Sequence, residues 1–436
     1  MKNYGNQDRQ SVHRAPATTR QQRAFAVALL LAGAVCAGMG QTIVFSVLPP
    51  IARDLGLSDF QVGFIFMLSA ICWVACSPRW GRFSDNRGRK PFILIGLLGF
   101  TISTVLFAAS IQAGLLGWFS GLTLYALLLG TRLIYGVFGS ASPPAAQAYI
   151  ADRTDAADRT AGIAGFSAAF GLGAMLGPGI GAVTAAISPT APFFAVAAFA
   201  AIMCIVVAVY LPERTRPSSR RLQPKLKLRD PRIRVFVIYG VTAGILMAIP
   251  TQTVAFYFID HLGFSTELAP QLVGVGLMAG AMASLFAQLV VVQRFHVAPS
   301  YLLRGAPALI CAGHILMWST SDLGPVIFGM VLAGFGAGLA VPGYNAAASL
   351  AVSPDEQGAA IGLTGAAGAA GFIISPPLGF SLYAFAPQAP YILTSIVALI
   401  LFLGAVRSNA VKGAIPKLNQ NPSADAANEP ASRPYR

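Results

Sequence analysis

The sequence predicts an all-α integral membrane protein with twelve transmembrane helices in two pseudo-symmetric six-helix halves. Three observations predict it: the composition is apolar, the apolar stretches have the length of membrane spans, and basic residues recur in alternate connections. Hydrophobic residues make up 55% of the 436 residues, charged residues make up only 11%, and the mean hydropathy is +0.65. This composition excludes an ordinary soluble domain.

Twelve apolar stretches are each long enough to cross roughly 30 Å of hydrocarbon as a helix that rises about 1.5 Å per residue. They cover residues 24–48, 60–78, 91–112, 119–149, 161–186, 191–211, 234–258, 270–292, 301–320, 324–350, 358–384 and 389–406. The first stretch is too long for the apolar part of a signal peptide and no cleavage site follows it, so we expect no cleavable signal.

Lysine and arginine residues mark one face of this arrangement. Of the thirty, all except Arg53 and Arg132 lie in the two tails or at the second, fourth, sixth and eighth connections. Short connections rich in Lys and Arg stay in the cytoplasm. We therefore expect a multi-pass protein of the cell inner membrane with both termini cytoplasmic. Because the net charge of +14 is divided among short connections, it indicates topology and not nucleic-acid binding.

The longest connection divides the chain into two halves. The expected units are a cytoplasmic tail 1–23, a half 24–211, a proline-rich cytoplasmic linker 212–233, a half 234–407 and a disordered cytoplasmic tail 408–436. Positions 198 apart carry like residues: Gly136 and Gly334, Pro144 and Pro342, Gln147 and Asn345, Asp158 and Glu356, Gly173 and Gly371, Pro178 and Pro376, Gly181 and Gly379. Repeated six-helix halves are typical of secondary transporters, which bind substrate near the midplane between the halves.

The connection between the second and third spans carries the most specific motif, Gly-Arg-Phe-Ser-Asp-Asn-Arg-Gly-Arg-Lys at residues 81–90. We expect Gly81 and Gly88 to permit tight turns in a short loop. Asp85 is surrounded in sequence by cations that a carboxylate can pair with. The motif resembles the signature loop of the major facilitator superfamily, although Asn86 replaces a usual cation. The resemblance implies the major facilitator fold and a gating role for Gly81, Asp85, Arg87, Gly88 and Arg89.

Arg132 lies deep in the fourth span. An arginine there costs about 3 kcal/mol or more on insertion, so such a residue usually faces a cavity or a partner. The alternative is that its side chain reaches the interface, but the span continues well beyond it in both directions. Its counterpart in the repeat is Met330, so the scaffold does not require a charge. In the superfamily the matching arginine is associated with proton transfer, although Tyr135 here replaces the glutamine of that motif.

The fifth span carries small residues and a proline at Gly173, Gly177, Pro178 and Gly181. Small residues four apart let two helices approach closely, and generic helix packing would explain them equally. The pattern resembles the antiporter motif, which within the superfamily occurs mainly in exporters.

Residues 148–152, 191–194 and 211–213 are similar to the tetracycline–proton exporters, a likeness concentrated in the N-terminal half. The acids that those exporters carry in spans 1 and 3 would fall near Ala37 and Ser103, and no Asp or Glu lies deep in any of the twelve stretches. A proton-coupled carrier needs a group that titrates. Asp85, His314 and Asp260 are the candidates, with Arg132 acting through a charged substrate as an alternative. A lone histidine in a span is more often a packing residue.

Spans 1, 4, 7 and 10 line the substrate cavity in the superfamily, which points to Gln41, Gln252 and Asn345 as cavity residues. Each could instead join two helices by a hydrogen bond.

The sequence thus predicts an exporter of an apolar or amphipathic small molecule that works by alternating access, in exchange for protons. Import or facilitated transport of a small organic anion through Arg132 is one alternative, and a transporter-like membrane sensor is another. An enzyme is not expected, because neither a Ser/His/Asp set, a metal-ligand cluster nor a phosphate-binding loop is evident. We expect no cofactor or metal, a monomer in membrane lipid, and protons and a small molecule as partners.

Overall fold

The computed structural model describes residues 20–152, 156–212, 226–295, 297–353 and 356–412, and its regular elements are helices. Most residues of the expected tails and linker lie outside this described part. The side chain of Asp158 also lies outside it. In chain order the helices are α1 Arg20–Asp54, α2 Asp59–Arg87, α3 Lys90–Leu115, α4 Gly121–Ala151, α5 Ala156–Ala185, α6 Ala191–Tyr210, α7 Arg234–Asp260, α8 Ala269–Arg294, α9 Pro299–Trp318, α10 Leu323–Leu350, α11 Gln357–Phe385, α12 Ala389–Arg407 and the short α13 Asn409–Lys412.

Twelve of these helices are long and apolar enough to cross a membrane, which confirms the predicted number of spans. Several helices run past their apolar stretch, because backbone hydrogen bonding continues where the side chains become polar. Thus α1 extends to Asp54, and α2 begins at a capping box in which Ser58 and Gln61 satisfy each other's backbone N–H groups. Within α4 the helix tightens to a 3₁₀ turn at Gly139–Ala141, just before two prolines that cannot donate backbone hydrogen bonds.

The internal repeat is visible in the packing. In the first six helices α5 packs along α1, where a Cβ added at Gly173 would overlap the carbonyl oxygen of Val35. In the last six, α11 packs along α7, where a Cβ added at Gly371 would overlap the backbone of Gly244. The same glycine position therefore makes the same kind of helix contact in both groups.

The two groups of six helices meet toward the face that carries Arg53, which we call the Arg53 face. The largest buried apolar cluster is shared between the groups, with Ile51 from the first and Phe258 from the second. Toward the opposite face, which we call the basic face, one buried cluster around Tyr149 belongs to the first group and another around Tyr344 belongs to the second. The structure is therefore closed at the Arg53 face, and its two groups have separate cores at the basic face.

Candidate functional site

Arg132 is buried in α4 with only 6% of its surface exposed. Its guanidinium carbon lies 4.5 Å from the centre of the Tyr135 ring and 5.6 Å from that of Phe107. Its Nε atom has no hydrogen-bond partner, and none of the ion pairs among the described residues includes it. The prediction of an arginine inside the span is confirmed, and aromatic rings take the place of a carboxylate beside it.

Tyr135 connects Arg132 to the predicted cavity residue Gln41. The Tyr135 hydroxyl donates a hydrogen bond of 2.8 Å to Oε1 of Gln41 in α1. Its ring centre lies 5.1 Å from that of Trp73 in α2 and 5.5 Å from that of Phe100 in α3. Four helices thus converge on one side chain, and Arg132 and Gln41 belong to one cluster.

An apolar cavity lies below Tyr135, toward the basic face. It encloses about 530 Å³ including space open to solvent, and it is lined by parts of α1 to α6 with Trp73, Phe100 and Phe170 among its aromatic side chains. Ala37 is also in its wall. No sequence pattern placed this pocket inside the first group of helices, because aromatic residues occur in most spans.

Gln252 and Asn345 lie in the second group. Gln252 in α7 is 2% exposed and accepts a hydrogen bond of 3.2 Å from Ser375 in α11. Asn345 in α10 is half-buried and accepts a bond of 2.7 Å from Thr364, also in α11. In this structure each of the two side chains links its own helix to α11 by a hydrogen bond. Their role in the substrate cavity stays a prediction.

His314 does not join the Arg132 cluster. It lies in α9, which packs against α10 and α12 in the second group, and it is 1% exposed. Its Nδ1 atom lacks a hydrogen-bond partner. The structure therefore separates the two side chains predicted to act in proton coupling.

At the basic face, the structure corrects the predicted loop geometry of the motif at residues 81–90. Asp85 lies within the last turns of α2, and Gly81 is helical, so Gly81 makes no turn. A Cβ added at Gly81 would lie 3.7 Å from Pro144, an ordinary contact. Gly88 alone makes the turn, at a φ of 94° that favours glycine. Arg89 then folds back to donate to Asp85 and, at 3.1 Å, to Asp152 at the end of α4. The exposed Arg87 ends the helix.

The second group carries an ionic cluster at the same face that the sequence reasoning missed. Arg232, just before α7, donates to both carboxylate oxygens of Asp230 and of Glu356. The hydrogen bonds from Arg232, with help from Ser353, lower the pKa of Glu356 to about 2. Hydrogen bonds from Arg232 likewise lower the pKa of Asp230. The sequence offered one signal for this cluster, namely that basic and acidic residues stand just before the seventh and eleventh spans.

This cluster predicts a pH dependence of stability. Glu356 has a lower pKa in the folded state than in the unfolded chain, where a glutamate titrates near about 4.3. Its stabilising effect is therefore full above that value and is lost as the pH falls toward about 2. The thermal midpoint of Glu356→Gln should lie below that of the wild type at pH 7, and the two should converge below pH ~4. Glu267→Gln, which removes an exposed carboxylate for which the described residues show no ion pair, serves as control and should leave the thermal midpoint at pH 7 unchanged.

At the Arg53 face, one arginine joins the two groups of helices. Arg53 at the end of α1 donates to Asp59 of α2, with distances of 3.1 and 2.7 Å, and to Asp260 at the end of α7. The hydroxyl of Tyr383 in α11 donates to the same Asp260 at 2.6 Å, and the Phe256 ring lies 4.8 Å from the guanidinium carbon. The sequence indicated that Asp260 is a candidate titratable residue and that Arg53 is a basic residue outside the basic connections. It did not predict that the two form an ion pair.

The glycines of the fifth-span motif form the contact between α5 and α1. Besides Gly173, a Cβ added at Gly177 would lie 2.7 Å from the carbonyl oxygen of Met39, and one at Gly181 would lie 3.3 Å from Ile43. The carbonyl oxygen of Pro178 lies 2.7 Å from a Cβ built on Gly274 of α8, in the second group. The predicted close packing is confirmed, and the motif also contributes to the contact between the groups.

These features match a known family of membrane transporters. The sequence model of the Major Facilitator Superfamily matches residues 30–324 and 301–427. The chain belongs to the major facilitator superfamily. The superfamily consists of transporters and not enzymes, and the curated relatives of this chain include multidrug and tetracycline resistance proteins. Multidrug resistance protein 1 of Bacillus subtilis (strain 168) is 27% identical over 392 residues, which cover 87% of this chain and 95% of that protein.

Tetracycline resistance protein, class C, of Escherichia coli is 27% identical over 391 residues, covering 87% of this chain and 94% of that protein. Two solved structures of the superfamily share the fold. A bacterial homologue of the human lysosomal transporter Spinster, in an inward-facing and unoccupied conformation, has a TM-score of 0.71 at 13% identity and covers 91% of this chain and 99% of its own. The human organic anion transporter MFSD10 (TETRAN) has a TM-score of 0.64 at 21% identity, covering 89% and 100%. The predicted twelve-helix major facilitator fold is confirmed.

Proposed function

We propose that this transporter exports an apolar or amphipathic small molecule, a drug-like compound or a metabolite, across the inner membrane in exchange for protons. One observation carries the proposal. The α1–α5 contact is built from the glycines of an exporter-type motif, in a chain that aligns over 87% of its length with multidrug and tetracycline resistance proteins. Close, rigid packing of these helices lets the first half move as one body.

Alternating access supplies the transport cycle. In the state closed at the Arg53 face, substrate enters from the basic face, which we assign to the cytoplasm because short basic connections are retained there. The halves 24–211 and 234–407 then rock as bodies, and the Arg53–Asp260 link opens. We assign gating at the basic face to Gly81, Asp85, Arg87, Gly88 and Arg89. These residues form the end of α2 and the turn into α3, which the second half approaches when this face closes.

Substrate and proton contacts follow from the same arrangement. We place substrate contacts at Gln41, Gln252 and Asn345, on the helices α1, α7 and α10 that face the midplane between the halves. We assign proton coupling, or pairing with a charged group of the substrate, to the buried side chains of Arg132 and His314, whose Nε and Nδ1 atoms have no partner in the described structure. The transporter is proposed to act as a monomer in membrane lipid.

Transport by the purified protein in proteoliposomes tests the proposal. With an imposed pH gradient and a fluorescent pH reporter, a panel of lipophilic cations, tetracyclines and organic anions is added from outside. We expect at least one compound to dissipate the gradient, and we expect Arg132→Ala to reduce the rate about tenfold or more. Asp85→Asn should slow the cycle while leaving substrate binding in place. Saturable transport without proton movement would overturn the exchange, and a failure to move any compound out of intact cells would overturn the export direction.

A further inference from the structure

Arg304 is a half-buried cation near the basic face. It lies in the second turn of α9, which begins at Pro299. Its Nε atom is buried and has no hydrogen-bond partner, and none of the ion pairs among the described residues includes it. A partly desolvated charge without a partner is costly. The position therefore calls for an anion that the described part of the protein does not supply.

Arg304 lies beside α12, along a line of contact that we call the α9–α12 seam. The two helices run antiparallel and pack along each other. Cys311 of α9 and Ala398 of α12 belong to one buried cluster, so these two residues are approximately level. Seven residues make about two helical turns. Arg304 therefore lies on the same side of α9 as Cys311, and it is level with Ala405 near the basic end of α12.

The α9–α12 seam has an opening at this level. Gly404, next to Ala405, is exposed, and a Cβ added to it would meet nothing within 4 Å. Two turns earlier on the same side of α12, Val397 packs against the buried cluster that contains Cys311. The row of side chains that fills the seam deeper in the membrane therefore ends in a glycine at the level of Arg304. This leaves room beside the cation for part of a ligand.

The surroundings of the opening suit a lipid. Tyr301 lies one turn before Arg304 on the same side of α9, and 65% of its surface is exposed. Tyrosine is enriched where membrane meets water, with its ring among the headgroups. Arg407, which ends α12, is also exposed. Farther from the basic face, the exposed residues of the two helices include the apolar Ile315 and Ile400. Cations and a hydroxyl group thus lie at the level of the headgroups, and apolar surface lies below them.

We propose that the α9–α12 seam binds an anionic glycerophospholipid of the leaflet at the basic face, whose phosphate pairs with Arg304 and Arg407. Guanidinium groups present donors only, and phosphate oxygens are the matching acceptors. Basic pockets between membrane helices bind lipid headgroups in this way. A zwitterionic headgroup binds less tightly, because its own ammonium group competes with the arginines for the phosphate. The seam lies within the second half, so the inference does not depend on the proposed transport.

Lipid binding by the purified full chain tests the inference. The transporter is stripped of lipid in detergent and titrated with dioctanoyl phosphatidylglycerol or with dioctanoyl phosphatidylcholine, and native mass spectrometry counts the bound lipids. We expect the first phosphatidylglycerol to bind about five- to tenfold more tightly than phosphatidylcholine, since one arginine near the membrane surface contributes roughly fivefold. Excess inorganic phosphate should not displace the lipid, because phosphate has no acyl chain to lie along the helices.

Four variants separate this site from general attraction to a basic surface. Arg304→Gln should abolish the preference for phosphatidylglycerol, and Arg304→Lys should keep part of it. Gly404→Leu fills the opening without changing any charge, and it should weaken binding of phosphatidylglycerol about fivefold or more, as expected when a bulky side chain occupies the space of the ligand. Arg79→Gln is the matched control. It removes an exposed arginine of the same face that already donates to the carbonyl oxygen of Ala75, and it should leave the preference unchanged.

The thermal midpoint in lipid-free detergent distinguishes a lipid site from a structural role of Arg304. Arg304→Gln should leave this midpoint unchanged or raise it, because the variant removes an unpaired, partly buried charge. A lower midpoint would assign Arg304 to folding and overturn the site. Equal affinity of the wild type for the two lipids, undiminished binding of phosphatidylglycerol in Gly404→Leu, equal losses in Arg79→Gln and Arg304→Gln, or displacement by inorganic phosphate would each overturn it as well.

Discussion

Replacing Arg53 by alanine is expected to open the Arg53 face. The side chain of Arg53 holds Asp260 of the second half while it also pairs with Asp59 of its own half. Hydrogen bonds to charged groups contribute about 1.5–3 kcal/mol each, and water competes here because the side chains of Arg53 and Asp260 are 24% and 29% exposed. Loss of the link should therefore cost the closed state about 2 kcal/mol, which shifts its population relative to the open state roughly thirty-fold.

Distances between spin labels at residues 60 and 385, one on each half at this face, measure the shift. Both positions are exposed, at 53% and 89%. Arg53→Ala and Asp260→Asn should each add a population with a longer distance. Asp59→Asn is the matched control, because it removes a partner of Arg53 within the same half and leaves the link to Asp260. Arg232→Ala removes the ion pairs with Asp230 and Glu356 at the basic face, and it should change nothing at the Arg53 face. Unchanged distances in both Arg53→Ala and Asp260→Asn would show that the link does not hold the gate.

Gly173→Ala is expected to destabilise the transporter far more than the addition of a methyl group at an exposed glycine. A Cβ at this position overlaps the carbonyl oxygen of Val35, which belongs to the backbone of α1 and cannot turn away as a side chain can. Overpacking of a close contact typically costs about 1–3 kcal/mol, and a backbone obstacle places Gly173→Ala at the upper end of this range. The separation of α1 and α5 should also impair transport.

The chain offers a control on the same helix. Gly171 is exposed, and a Cβ added there meets nothing within 4 Å. Gly171→Ala should therefore leave the thermal midpoint in detergent unchanged or raise it slightly, since alanine favours helix over glycine. Gly371→Ala, at the repeated position in α11, should resemble Gly173→Ala because it overlaps the backbone of Gly244. Equal midpoints for Gly171→Ala and Gly173→Ala would contradict the packing argument.

Much of the candidate site could be predicted one helix at a time. Arg132 stood out because a charge inside an apolar stretch is visible without knowing its neighbours. Gly173 and Gly181 stood out because small residues recurring along a helix predict a close partner. The identity of that partner, α1 for one motif and α7 for its repeat, was not predictable, since spacing along a helix carries no information about the helix that it touches.

The sequence by itself determined the twelve spans, the two repeated groups and the family, because these follow from hydrophobic length, repeated spacing and a short motif. It did not determine that Asp85 stays within α2, since helix propensity continues past the end of an apolar stretch. Only the tertiary structure joined Arg53 to Asp260 and Tyr135 to Gln41, residue pairs 207 and 94 positions apart. The physical reason is that burial in lipid acts on each helix separately, whereas a gate or a pocket exists only after particular faces of distant helices have packed together.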